Sequence, residues 1–204
     1  STIWGGEDLH IGIYEQDGEA IRNASRRTVA RMAGELPLYA DTRVLDVGAG
    51  YGGSARYLAR TYGCRVTCLN LSAVQNERNR RLTGEQGLTD LVSVVEGNFE
   101  ELPFGDGSFD VVWSQDAILH SARREEVIAE VARVLVPGGR FVLTDPMQAD
   151  DADTAVLAPV LERLSLSSLA SPEFYRGAGA AAGLPMTGYH DLSTHLWRHY
   201  WRVL

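Results

Sequence analysis

The sequence has few cysteines and no long hydrophobic run. Its two cysteines, Cys64 and Cys68, are spaced C-R-V-T-C, which matches neither a zinc site nor a redox motif. Because residues four apart share a face of an extended strand, we expect two buried, reduced thiols near a core strand, typical of a reducing compartment. No apolar run is long enough to cross a membrane, and we find no signal-peptide pattern.

Basic residues are also scarce relative to acidic ones. The formal net charge is −8 and the isoelectric point is near 5.1, which disfavours nucleic acid and anionic membranes as partners. With 204 residues, 45% of them hydrophobic and 23% charged, the chain suits one globular domain. We expect a cytoplasmic monomer. The five histidines are scattered, and His195 and His199 lack the glutamate of a zinc-protease helix, so no metal site is predicted.

From residue 43 onward, short apolar runs alternate with amphipathic helical patterns. The predicted strands are 43–47, 65–69, 91–95, 109–114 and 139–144, and the predicted helices between them are 53–62, 72–86 and 122–135. This alternation predicts an α/β fold with a doubly wound, mostly parallel sheet. Pro137-Gly138-Gly139 is predicted to be a turn into the fifth strand.

The regions on either side of this alternation have other patterns. A helix is predicted at 20–36, and after the core we predict helices at 154–169 and 172–182, a strand at 186–193 and an apolar stripe at 194–204. We divide the single domain into a cap and helix (1–42), a cofactor-binding core (43–145) and a substrate lid with a partial C-terminal part (146–204). We expect both ends of the domain to be missing.

The stretch V-L-D-V-G-A-G-Y-G-G at residues 44–53 is an apolar strand that ends in an acid and then in glycines. Glycines there let a backbone loop approach a nucleotide-type cofactor. The loop satisfies both G-x-G-x-x-G, which is typical of dinucleotides, and D-x-G-x-G-x-G. The carboxylate of Asp46 suits the cationic amino group of a methionine-type cofactor and would repel a pyrophosphate.

Two downstream runs, G-N-F-E-E-L-P-F at 97–104 and R-V-L-V-P-G-G-R at 133–140, resemble the class I S-adenosylmethionine-dependent methyltransferases. The likeness narrows with I-W-G-G-E-D-L-H-I-G at 3–12, D-A-I-L-H at 116–120 and T-D-P-M-Q-A-D-D at 144–151. These resemble sarcosine/dimethylglycine N-methyltransferases, which make the osmolyte glycine betaine. The likeness covers nearly the whole chain, and extends more loosely to phosphoethanolamine N-methyltransferases.

The resemblance implies S-adenosylmethionine as cofactor and a set of residues that hold it. These are Asp46, Gly48, Gly50, Asn70, Leu71, Gln75, Asn98, Phe99 and Gln115. Asp46 and the glycines would hold the amino-acid end, Asn70 the ribose, and Asn98 the adenine edge. Each asparagine is alternatively a turn residue at a strand end.

The resemblance also implies a small zwitterionic amine as substrate. His120 is the candidate base that uncovers the amine lone pair, and Asp116 the candidate partner of the ammonium. Alternatively, His120 is a polar residue at a helix end and Asp116 a helix N-cap. The candidates for an aromatic wall around the methylated nitrogen are Trp4, Tyr14, Trp113 and Tyr175, each of which could instead be a core residue. For the carboxylate we favour Arg163 over Arg176.

Three rival functions stay open. The first is methylation of phosphoethanolamine or another small amine, although residues 146–170 offer only Arg163 as a base. The second is a domain that binds the cofactor without catalysis. The third, a nicotinamide oxidoreductase, depends on the glycine loop alone and is disfavoured because no hydride-transfer constellation accompanies it.

Overall fold

The structure of the protein is a computed structural model, and it describes residues 7–203. The strands are β1 (Arg43–Val47), β2 (Arg65–Asn70), β3 (Val92–Glu96), β4 (Phe109–Gln115) and β5 (Leu135–Thr144). The helices are α1 (Ile21–Gly34), α2 (Gly53–Tyr62), α3 (Ala73–Glu85), α4 (Arg124–Val134), α5 (Thr154–Leu164), α6 (Pro172–Ala181) and α7 (Ser193–Val203), with a short 3-10 helix at Ile118–His120.

The five strands form one all-parallel sheet in the order β3-β2-β1-β4-β5. The chain therefore builds outward from β1 in one direction and then crosses to the other side of β1. This confirms the predicted doubly wound fold. In such a sheet, ligands bind beyond the carboxyl ends of the strands at the point where the order reverses, here between β1 and β4.

Side chains that alternate along the strands divide the core into two layers. On one face, Leu45 and Val112 pack with Val131 of α4 and with residues of α6. On the other face, Val44 and Trp113 pack with residues of α1 and α2. Both faces of the sheet are covered, which explains why β1 and β4 are almost continuously apolar.

The fifth strand begins earlier than its apolar run predicts. β5 follows α4 directly at Leu135, and its pairing with β4 passes from Phe109–Leu135 to Val111–Arg140. Pro137-Gly138-Gly139 therefore forms a bulge inside the strand, and the predicted turn before it is wrong. Gly138 permits the bulge because its φ is +79°.

The C-terminal region differs from its prediction in two places. Helix α5 ends at Leu164 rather than at 169, because Ser165 takes a left-handed φ of 55°. The predicted strand at 186–193 is wrong: residues 184–192 are irregular and Ser193 begins α7. Gly188 interrupts this short segment, and strands need sustained β propensity and a paired neighbour.

Both cysteines are free and buried, as predicted. Burial raises the pKa of Cys64 to about 11, which keeps its thiol protonated and unreactive. Within residues 7–203, no helix combines the length and apolar character needed to cross a membrane.

Candidate active site

A cavity of about 450 Å³ opens at the carboxyl ends of β1, β2 and β4. Eleven predicted cofactor and catalytic residues line it: Asp46, Gly48, Gly50, Asn70, Leu71, Gln75, Asn98, Phe99, Gln115, Asp116 and His120. Its volume lies in the range of small-molecule sites, about 300–1,000 Å³. The sequence motifs, which are up to 70 residues apart, therefore converge on one cavity.

The glycine loop is shaped as much by packing against the protein as by room for a ligand. A Cβ on Gly48, whose φ is +77°, would lie 2.3 Å from the Cβ of Ala117. A Cβ on Gly53 would lie 2.0 Å from the Oδ1 atom of Asp8. The N–H groups of Gly48 and Ala49 both donate to the carbonyl of Leu69, so these two amides hold the loop on β2 rather than face a ligand.

Asp46 carries the strongest sign of a missing cation. It is 3% exposed, and its Oδ2 atom has no hydrogen-bond partner among the described residues. Burial raises the pKa of Asp46 to about 7; the charge of His10 opposes this shift and that of Asp8 adds to it. A buried carboxylate without a partner is unfavourable, so the site fits the ammonium group of a methionine-type cofactor.

The predicted adenosine end consists of amides and an apolar rim. The Asn70 Nδ2 atom donates to Gln75 Oε1 at 3.0 Å, while Asn98 Oδ1 accepts the N–H of Glu100 at 3.0 Å. Asn98 thus makes a local turn and also lines the cavity. Leu71 stands 62% exposed at the mouth, where it can cover a flat ring.

Asp116 dominates the other end of the cavity. It adopts a left-handed φ of 49°, which is strained for a residue other than glycine. Its Oδ2 atom accepts the N–H of Ile11 at 2.7 Å, and its Oδ1 atom accepts the hydroxyl of Thr144 at 2.9 Å. Burial raises the pKa of Asp116, while the charge of His10 lowers it. His120, at the end of the 3-10 helix, is exposed.

The proposed aromatic wall does not assemble at this cavity. Tyr14 is buried, and its hydroxyl lies 2.8 Å from Nδ1 of His199. Trp113 is fully buried in the core and donates to Gln115 Oε1 at 3.0 Å, and Tyr175 donates to Asp145 at 2.6 Å. Trp4 lies outside the described residues. Strand and helix patterns do not reveal which way a single aromatic side chain points.

The predicted carboxylate anchors also lie away from the cavity lining. Arg163 is exposed on α5. Arg176 is exposed on α6 and pairs with Glu173 at 2.5 Å. Both positions follow from helix periodicity, because each arginine falls on the solvent side of its amphipathic helix.

Sequence reasoning assigned residues 1–42 to a cap and helix but named no cofactor residues in the described part of the cap. In the structure Glu7, Asp8, Leu9 and His10 all line the cavity. The carboxylate of Glu7 pairs with Arg56, which is 1% exposed, at 2.6 Å, and Asp8 lies 3.7 Å from His10. The acids and the histidine of the G-G-E-D-L-H run were the signal that could have identified them.

A metal does not explain this concentration of acids. Within residues 7–203, no group of three or more histidine, cysteine, aspartate or glutamate side chains is arranged to hold one. The carboxylates therefore need organic cations or internal partners, such as the ammonium proposed for Asp46.

Comparison with known proteins assigns the chain to a family. Residues 45–143 match the family described as methyltransferase domain. The chain is 52% identical, over its full length, to the sarcosine/dimethylglycine N-methyltransferase of Halorhodospira halochloris, of which it covers 73%. The chain belongs to the sarcosine/dimethylglycine N-methyltransferase family. As a member, it is an enzyme dependent on S-adenosylmethionine.

Other relatives of this methyltransferase extend the comparison. It is 55% identical to the glycine/sarcosine/dimethylglycine N-methyltransferase of Actinopolyspora halophila, with 99% of the chain aligned to 36% of that protein. It superposes with a TM-score of 0.95 on a crystal structure described as a sarcosine dimethylglycine methyltransferase from Galdieria sulphuraria, at 42% identity. That superposition covers 98% of this chain and 78% of the other.

Replacing the unpaired acid tests the assignment of the ammonium site. We expect Asp46→Asn to weaken binding of S-adenosylhomocysteine about 10- to 100-fold, because the variant keeps the shape of the side chain but loses its charge. Isothermal titration calorimetry measures this. Unchanged affinity at pH 8 would show that Asp46 is not the ammonium partner.

The same variant should stabilise the ligand-free methyltransferase at alkaline pH. The folded pKa of about 7 lies above the ordinary value of 3.8, so stability is full at low pH and is lost as the pH rises through 7. Asp46→Asn removes this loss, by on the order of 2 kcal/mol at pH 8 and by less at pH 6. Urea unfolding at both pH values is the measurement.

A methyl group on the glycine loop tests the role of the cap. In Gly53→Ala the new Cβ collides with Asp8, so we expect cofactor affinity to fall at least tenfold. The matched control is Gly84→Ala in α3, where a Cβ meets nothing within 4 Å, and we expect a gain of up to about 1 kcal/mol in stability. If Gly53→Ala binds cofactor normally, the cap does not need this close contact.

Proposed function

We propose that this protein transfers methyl groups from S-adenosylmethionine to the nitrogen of sarcosine and dimethylglycine, with glycine betaine as the final product. The observation that carries the proposal is one continuous cavity, with the unpaired Oδ2 atom of Asp46 at one end and Asp116 and His120 at the other. The first end suits the ammonium group of the cofactor. The second offers an acid and a base to a small amine. The names of the relatives support the same acceptors.

The charge of the cavity supports an amine without a phosphate. Five of its lining residues are acidic, namely Glu7, Asp8, Asp46, Glu100 and Asp116. None of the described lining residues is an arginine, and the sequence has no lysine. Such a surface attracts an ammonium group and repels a phosphate dianion. Phosphoethanolamine is therefore the weaker candidate.

The chemistry is a displacement at carbon that needs an aligned, unprotonated amine. When bound, S-adenosylmethionine supplies a methyl group on a sulfonium centre, which the amine lone pair displaces. In our proposal Asp116 pairs with the incoming ammonium, and His120 accepts its proton before transfer. The hydrogen bonds from Ile11 and Thr144 fix the direction of the Asp116 carboxylate. Dimethylglycine gains its last methyl group and keeps no N–H, so a base is needed only beforehand.

Arg163 remains our candidate for the substrate carboxylate, and its electrical environment supports this. Burial raises the pKa of Tyr200 on α7, the charge of Asp116 raises it further, and the charge of Arg163 lowers it. Asp116 and Arg163 thus both lie within electrostatic range of one hydroxyl group. A zwitterion could span the space between them, with its ammonium toward Asp116 and its carboxylate toward Arg163.

The pair Arg163→Gln and Arg176→Gln tests this anchor. We expect Arg163→Gln to raise the KM for dimethylglycine about tenfold or more, because a charged hydrogen bond is lost, and to leave cofactor affinity unchanged. Arg176→Gln is the control, because Arg176 already pairs with Glu173. Equal KM values for the two variants would refute the assignment.

The substrate class itself is tested by mass spectrometry of methylated products. S-adenosylmethionine is supplied with glycine, sarcosine, dimethylglycine or phosphoethanolamine in parallel. Betaine formed from sarcosine or dimethylglycine supports the proposal, whereas methylation of phosphoethanolamine alone overturns it. If the cofactor binds but no acceptor is methylated, the protein is a non-catalytic binding domain.

The proposal extends to an osmoprotective role for a monomeric enzyme in the cytoplasm. Betaine carries no net charge, so a cell can accumulate it against external salt without disturbing its electrostatics. An acidic protein with a formal charge of −8 is compatible with such a setting.

A further inference from the structure

Two histidines of α7 face the cap, which we define as residues 7–14. His195 and His199 are four residues apart and therefore share one side of the helix. The N–H of Tyr14 donates to Nδ1 of His195 at 3.1 Å, and the N–H of Gly12 donates to Nδ1 of His199 at 3.2 Å. The hydroxyl of Tyr14 also lies 2.8 Å from Nδ1 of His199. The terminal helix thus holds the cap backbone at two points.

These contacts fix the charge of both rings. A backbone N–H can donate only to a ring nitrogen that carries no proton, so each histidine must be neutral with its proton on Nε2. A protonated ring presents N–H groups at both nitrogens and would face the amide with a like dipole. Protonation therefore removes the bonds that hold residues 12 and 14.

The bonded segment is the continuation of a cavity wall. Asp8, Leu9 and His10 line the cofactor cavity, and the next residue, Ile11, donates its N–H to Asp116. The two histidine contacts follow at Gly12 and Tyr14. Losing them frees the chain directly beside the residues that close the cavity.

The surroundings of His199 favour the neutral ring. Burial lowers the pKa of His199 to about 4, and the charge of His10 adds to this shift. Tyr14 and Tyr200 are the other titratable groups that contact its ring. In the sign convention of linkage, a lowered pKa means that the contribution is complete above pH 6.5 and is lost as the pH falls toward 4.

The surroundings of His195 act in the same direction. Burial lowers its pKa, and the charges of Arg198 and Arg27 lower it further. Arg27 is held on the cap side by ion pairs with Glu15 and Glu19. Both rings thus stay neutral at the pH at which the proposed methyl transfer needs a free amine.

We propose that His195 and His199 are positioning residues for the active site, holding the cap over the cavity through bonds that only their uncharged rings accept, which rests on the proposed function only for the identity of the bound cofactor. They touch neither cofactor nor substrate. They act through Gly12 and Tyr14 on the cavity wall formed by residues 8–10.

Two double variants separate hydrogen bonding from titration. His195→Asn with His199→Asn keeps a polar acceptor near the position of Nδ1 but cannot be protonated. His195→Leu with His199→Leu removes the acceptor altogether. His190→Asn is the matched control, because His190 is an exposed histidine that contacts Arg31 and Glu35 instead of the cap.

Hydrogen exchange of the Gly12 and Tyr14 amides is the primary measurement, with binding of S-adenosylhomocysteine in parallel. For a ring with pKa about 4 when bonded and 6.5 when released, the opening constant of the cap should rise about tenfold between pH 8 and pH 5.5 in the wild type. We expect no such rise from these rings in the Asn variant. The Leu variant should open at least tenfold more at pH 8 and bind S-adenosylhomocysteine correspondingly more weakly.

Equal pH dependence of amide protection in the wild type and the Asn variant would overturn the proposal, as would full protection in the Leu variant. If the Leu variant does not fold, the comparison of wild type with the Asn variant still decides. Neither readout depends on which amine is methylated. Failure of every acceptor in the product assay would therefore refute the proposed function and leave the role of the two histidines intact.

Discussion

The close contact between the cap and the glycine loop is the constraint on which the site depends. Asp8 lies where a side chain on residue 53 would be, and Glu7 anchors the cap to the buried guanidinium of Arg56. The loop is therefore as much a docking surface for the protein as a cradle for a ligand. Without this contact the cavity would be an open crevice at the edge of the sheet, and water would reach the reacting groups.

A second constraint is electrostatic. Carboxylates accumulate around the cavity, and at Asp46 and Asp116 burial disfavours the charged form. A protein with this arrangement is less stable without its ligand than its packing alone would allow. The cofactor's ammonium group turns this unfavourable charge into binding energy, so the strain of the empty site and the selectivity of the full site have one cause.

Much of the architecture was predictable because it is recorded locally. Apolar runs of five or six residues located the five strands, and the acid and glycines after β1 led to eleven cavity residues. The contacts of Glu7 with Arg56 and of Ile11 with Asp116 were not predictable, because they join residues 49 and 105 positions apart. The directions of Tyr14, Trp113 and Tyr175 failed for the same reason, since only tertiary packing decides which face an aromatic ring joins.

The bond between Gly12 and His199 spans 187 positions of the sequence. During synthesis the five strands are complete once residue 144 has emerged, so the sheet can form while the cap has nothing to hold it. Contacts of such separation form late, because a long loop must close before they contribute. A nascent chain therefore displays an acidic, half-open crevice until α7 is made, and competence to retain the cofactor arrives as one of the last events of folding.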